Sequence, residues 1–95
     1  MQRPETVSGT IINEATLQAI PGVNIININR VKGTVTDDRG NFSIEVTAND
    51  TLHVSMIGYQ SIKVRVSNDW IKFKNITKIP LTERAYTLEE VIIKI

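Results

Sequence analysis

The side chains of this chain that could act on another molecule are few and widely spaced. Asp37, Asp38 and Asn41 offer oxygen donors within one short phrase, the donor type that calcium prefers. A calcium loop of the EF-hand kind needs alternating oxygen ligands and a glutamate at its twelfth position. Two adjacent aspartates in Asp37-Asp38-Arg39-Gly40 do not supply that. They suit a tight turn instead, because aspartate bonds its own downstream backbone and glycine takes a positive φ at no steric cost. His53 is the single histidine, and there is no cysteine. A zinc-type site therefore lacks ligands, and a surface histidine is the expectation. Glu89 and Glu90 are neighbours, which in a strand point to opposite faces and cannot pair as acid and base. Serine and threonine are abundant, but none lies near a candidate base. The five glycines are isolated, so no phosphate-cradling loop is present. No catalytic residue, cofactor or metal is expected.

Aromatic and apolar residues leave three further candidates. Trp70, Phe73 and Tyr86 could line a sugar platform; in a loop-rich tail they more often plug the open end of a fold, since an exposed aromatic cluster is itself unusual. Gly58-Tyr59 reads as a corner, with the Tyr59 ring at the core edge and its hydroxyl bonded to backbone. The third is the closing run, Leu88, Glu89, Glu90, Val91, Ile92 and Ile93, extending to Ile95. An exposed β-prone segment can add to a partner's sheet edge through backbone hydrogen bonds. The same run could equally be the last strand of its own domain, because an unpaired strand so apolar invites aggregation.

Composition bounds the setting in which these residues sit. At 95 residues the chain is one domain. Its 41 % hydrophobic content is ordinary for a globular protein. The formal net charge of +1, with basic residues scattered singly, argues against a nucleic-acid binder. No apolar run reaches the length of a membrane span, and no basic, apolar and small-residue series marks a signal peptide. The polar start, Met1-Gln2-Arg3-Pro4-Glu5, reads as an added initiator on a processed N-terminus.

The elements that must position the candidates are all β. Val7–Ile12 is a first strand, with Gly9 implying a bulge or a close approach. Asn13–Pro21 is a loop containing a short helical turn at Ala15-Thr16-Leu17. Val23–Asn29 carries a phase slip: Val23 and Ile25 share one face, Ile26 and Ile28 the other. That predicts a bulge near Ile25-Ile26 or a strand buried on both faces. Arg30–Gly33 turns into a short strand, Thr34–Thr36, and Asp37–Gly40 closes a hairpin onto a strand with Phe42, Ile44 and Val46 inward. After a turn at Ala48-Asn49-Asp50, Leu52, Val54 and Met56 point inward and Thr51, His53 and Ser55 outward. Ile62, Val64 and Val66 resume beyond Gly58, with Lys63 and Arg65 outside. Ser67–Asn75 is irregular, its Trp70, Ile71 and Phe73 capping the core. Ile76–Leu81 is a strand whose Pro80 places it at a sheet edge. No segment has a convincing helical period. Seven or eight short strands with regular turns predict an antiparallel two-sheet β-sandwich.

Several phrases carry a resemblance. They are Val7-Ser8-Gly9-Thr10-Ile11, Ile20-Pro21-Gly22-Val23-Asn24-Ile25, Gly33-Thr34-Val35-Thr36-Asp37-Asp38-Arg39-Gly40-Asn41-Phe42 and Leu52-His53-Val54-Ser55-Met56-Ile57-Gly58-Tyr59. In this order and spacing the chain resembles the carboxypeptidase-regulatory-like domain family. That resemblance implies a transthyretin-like, Greek-key β-sandwich over residues 7–82, preceded by a tail at 1–6. Residues 83–95 would form a linker and a final strand or partner-binding segment. Leu88-Glu89-Glu90-Val91-Ile92-Ile93 looks like the segment that follows this domain in TonB-dependent outer-membrane receptors of Bacteroidetes-type bacteria. The implied role is a non-enzymatic spacer or protein-interaction module in the periplasm or at the outer membrane. The implied partner is an energy-coupling protein or the rest of the receptor. A carbohydrate-binding sandwich is the alternative.

Overall fold

A computed structural model describes residues 3–84. Seven strands and one short helix make two stacked sheets: β1 (Glu5–Asn13), β2 (Asn24–Asn27), β3 (Lys32–Val35), β4 (Asn41–Val46), β5 (Thr51–Ser55), β6 (Ile62–Arg65), α1 (Asn68–Phe73) and β7 (Ile76–Leu81). Sheet A has the order β4-β1-β7, and sheet B the order β3-β2-β5-β6. The all-β sandwich expected from the alternation is therefore present.

The core follows from period-two alternation. Val7 and Ile11 of β1, Phe42, Ile44 and Val46 of β4, and Ile79 and Leu81 of β7 face Val23, Ile25, Leu52 and Val54 across the sandwich, all buried. Each such side chain contributes roughly 1.5–3 kcal/mol relative to exposure. Gly9 marks a close approach rather than a bulge. The register of β1 runs unbroken through it, and a Cβ there would lie 2.7 Å from the Phe42 ring.

Four expectations need correction. First, the phase slip at Ile25-Ile26 produces neither a bulge nor two buried faces. The register of β2 with both neighbours is continuous. Val23, Ile25 and Asn27 point inward, while Ile26 and Ile28 are left 42 % and 50 % exposed. Second, Asp37–Gly40 does not close a hairpin. Val35 pairs with Asn24 in sheet B and Asn41 with Thr10 in sheet A, so the turn is an arch between sheets. Turn chemistry dictates a reversal, not which strand receives the chain afterwards. Third, β1 and β7 pair in parallel, Ser8 opposite Ile76 through Asn13 opposite Leu81; the other pairings are antiparallel. Pro80 does lie on an edge strand, as its missing donor requires.

Fourth, part of Ser67–Asn75 is helical. Ser67 is an N-cap whose Oγ accepts from the Trp70 amide at 3.1 Å, satisfying one of the orphan donors of the first turn. Lys74 ends the helix in the left-handed region at φ 55, its N–H donating to the Trp70 carbonyl. Trp70 and Ile71 pack on the core, but Phe73 is 59 % exposed and caps nothing. The helical turn after Asn13 is present. Leu17 N–H donates to the Asn13 carbonyl, and Asn13 Oδ1 accepts from the amides of Ala15 and Thr16.

Candidate functional site

The aspartate-rich arch uses its oxygens internally. Asp37 Oδ1 accepts from the amides of Asn41 and Arg39, both at 2.9 Å. The Asn41 amide first, and then that of Arg39, hold the carboxyl below its ordinary pKa. Asn41 Oδ1 is taken by the Thr10 hydroxyl. These are the bonds of a turn, and among the described residues no group of three His, Cys, Asp or Glu side chains comes together to hold a metal ion. A shallow recess of about 470 Å³ lies nearby between Thr34, Val35, Ser43 and Ile76. The Ser8 and Ser43 hydroxyls at its wall bond each other at 2.9 Å.

His53 lies half-buried on β5, across from Ile26 of β2 and Lys63 of β6, on the outward phase expected for it. Tyr59 packs at the core edge, but its hydroxyl partner is a side chain rather than backbone. Asn13 Nδ2 reaches Tyr59 Oη at 3.3 Å and Glu83 Oε2 at 3.1 Å. Beyond β7 the chain runs antiparallel to this corner: Tyr59 bridges Glu83, and Arg84 N–H donates to the Gly58 carbonyl at 2.8 Å. Asn13 thus joins the end of β1 to the chain that leaves β7.

Of the sugar-platform residues, the structure buries Trp70 and exposes Phe73. Trp70 is only 6 % exposed. Its ring stands edge-on to Phe42, with centroids 6.5 Å apart at 88°, and its Nε1–H donates to the Ser8 carbonyl at 2.9 Å. A ring this buried presents no open face on which a sugar could stack. Phe73 is exposed, with the Lys72 ammonium 5.5 Å from its centroid. Tyr86 lies outside the described residues, and so do Leu88, Glu89, Glu90, Val91, Ile92 and Ile93 of the partner-binding run.

One polar cluster was missed from the sequence. Asn27, fully buried, donates from Nδ2 to Asp50 Oδ2 at 2.9 Å and to the Glu45 carbonyl at 3.0 Å. The second bond crosses from sheet B to sheet A. Asp50 also accepts from the amide and hydroxyl of Thr47, and Arg30 Nε lies 3.4 Å from its carboxylate. Burial raises the pKa of Asp50. The Asn27 amide, the two Thr47 donors and the Arg30 charge outweigh it and hold the carboxyl below its ordinary value. The signal lay in the phase: Asn27 continues Val23 and Ile25, and Asp50 precedes Leu52 and Val54. A polar residue at a core phase marks a buried network. This one staples the two sheets and offers no reactive group to solvent.

Comparison with known proteins places the chain. The family model described as CarboxypepD_reg-like domain matches residues 7–93. TonB-dependent receptor P26 of Formosa agariphila is 34 % identical over 90 residues, covering 94 % of this chain and 8 % of the receptor. TonB-dependent receptor P39 of the same organism is 34 % identical over 88 residues, 92 % of this chain and 8 % of its own length. TonB-dependent receptor SusC of Bacteroides thetaiotaomicron is 36 % identical over 62 residues, 65 % of this chain and 6 % of its own. The chain thus spans less than a tenth of these relatives. Among solved structures, the pilus 2b backbone protein of group B streptococcus superposes with a TM-score of 0.54 over 85 % of this chain and 42 % of that one. At 12 % identity this likeness speaks for the β-sandwich fold alone.

Proposed function

This chain belongs to the CarboxypepD_reg-like domain family, and from that membership we propose that it is a non-enzymatic accessory domain of a bacterial cell-envelope protein. It serves there as a spacer or interaction module, as the periplasmic N-terminal extension of a TonB-dependent receptor. The observation that carries the reading is the way the relatives match. Three TonB-dependent receptors align with this small sandwich while most of their own length lies outside the match. The partner-facing part is the run Leu88–Ile93, which would meet an energy-coupling protein or the rest of the receptor by adding a strand to an exposed edge.

The test is deletion of residues 7–93 from the parent protein, followed by substrate uptake and co-purification of envelope partners. Loss of uptake under at least one nutrient, or of a partner, is expected. Normal uptake under every nutrient tested together with unchanged partner recovery would remove the interaction role.

A further inference from the structure

The outer face of sheet B is covered by nothing within residues 3–84, and its side chains are ordered by type. Register places Lys63 and Arg65 of β6 beside His53 and Thr51 of β5, then Ile26 of β2, then Gly33 of β3. Val35 stands at one end of the β3 row, 54 % exposed, and Ile28 continues the phase of Ile26 beyond β2. Polar Asn24 of β2 and Ser55 of β5 stand in register beside Val35; apart from that row the face runs from cationic on β6 to apolar on β2 and β3. None of the residues at these outward positions is acidic. Leu17, Val31, Ile57, Phe73 and Ile76 are exposed too, outside these register rows, but Ile26, Ile28 and Val35 share one sheet face, and an apolar face shared in this way marks a contact site.

We propose that this face is the docking surface for the chain's own closing segment, Leu88–Ile95. Three observations select that occupant. Residues 82–84 run along Gly58–Gln60, at the β5–β6 corner, so the segment sets out from the β6 side of sheet B. Its order matches the face: Glu89, on the same side of an extended chain as Val91, Ile93 and Ile95, comes first, where Lys63 and Arg65 stand. Val91, Ile93 and Ile95 follow on one side of an extended chain, where Ile26, Ile28 and Val35 lie. Its length suffices, since Ala85–Ile95 spans up to about 36 Å when extended and β6 to β3 is about 14 Å. Docking would shield the apolar run that otherwise invites aggregation. It stands apart from the receptor role, because a stowed segment can exist whether or not a partner later displaces it.

The chain lacks cysteine, so Lys94→Cys gives a unique site for a nitroxide. Paramagnetic broadening should be at least tenfold greater at the amides of Ile26, Ile28 and Val35 than at Ser8 and Ser43 on sheet A. Charge reversal by Glu89→Lys with Glu90→Lys should bring that ratio to within twofold of unity. Ile26→Asp with Ile28→Asp should do the same. Uniform broadening in the unreversed chain would overturn the proposal, as would broadening centred on β4 or β7 or a pattern indifferent to the reversal. Spin-labelled, isotope-free protein mixed with unlabelled, isotope-enriched protein separates self from neighbour. Broadening in that mixture would make the occupant a second copy and overturn the intramolecular reading.

Discussion

Asn27 and Asp50 show how much one polar pair can decide. Each sits at a core phase, and each is buried only because its partners are in place. Leaving a buried donor or acceptor unsatisfied costs about 1–3 kcal/mol. The Asp50 carboxyl has a folded pKa below its unfolded value of about 3.9. Its stabilisation is therefore present above pH 4 and is lost as pH falls through the folded pKa. Urea midpoints should hold steady from pH 7 to about 5 and drop below about 4. Asp50→Asn should lower stability at pH 7 by about 1–3 kcal/mol and make the acid decline shallower. A residual decline should remain, because Asp37 is shifted in the same direction. The pair was legible as an anomaly of phase, but its partners were not, since Arg30 reaches it only once β2 pairs with β5 and Glu45 only once the sheets stack.

At the scale of elements, the strands with clean alternation were readable and the pieces too short to show a period were not. Phe42, Ile44 and Val46 announce β4 by themselves. Helix α1 spans six residues, less than two turns, so only its cap could reveal it: Ser67, with Asp69 in the first turn. Ser67→Ala should cost about 1 kcal/mol. Thermal unfolding followed through Trp70, the only tryptophan, should show a lower midpoint with an unchanged native emission maximum. An unchanged midpoint would mean that Trp70 and Ile71 hold the helix by packing alone. The hairpin reading of Asp37–Gly40 failed for a different reason. Its residues encode a reversal, whereas the destination of β4 is set by the apolar face that β1 presents.

For the whole molecule, that arch is one of the crossings that join the two sheets, and Gly40 is its tightest point. At φ +76, a Cβ would lie 2.8 Å from the Ile11 carbonyl oxygen and 2.9 Å from Ala19 Cβ. Gly58, at φ +89, has nothing within 4 Å of such a Cβ. Gly40→Val should therefore destabilise by about 2 kcal/mol or more, through strain and clash together, and Gly58→Ala by about 1 kcal/mol through backbone conformation alone. Chemical denaturation of the two variants checks the order; equal losses would show that the arch can relax. The sandwich was legible because alternation and turn residues are local. The parallel pairing was not, because Ser8 and Ile76 are far apart in the chain and no local pattern records that they meet. That pairing has a mechanical consequence. Since β1 and β7 run the same way, Glu5 and Leu81 lie toward opposite ends of sheet A. Tension drawn between them would slide the two strands past each other, loading their hydrogen bonds together rather than peeling them one at a time. A pull between these two points therefore meets the β1–β7 pairing in shear.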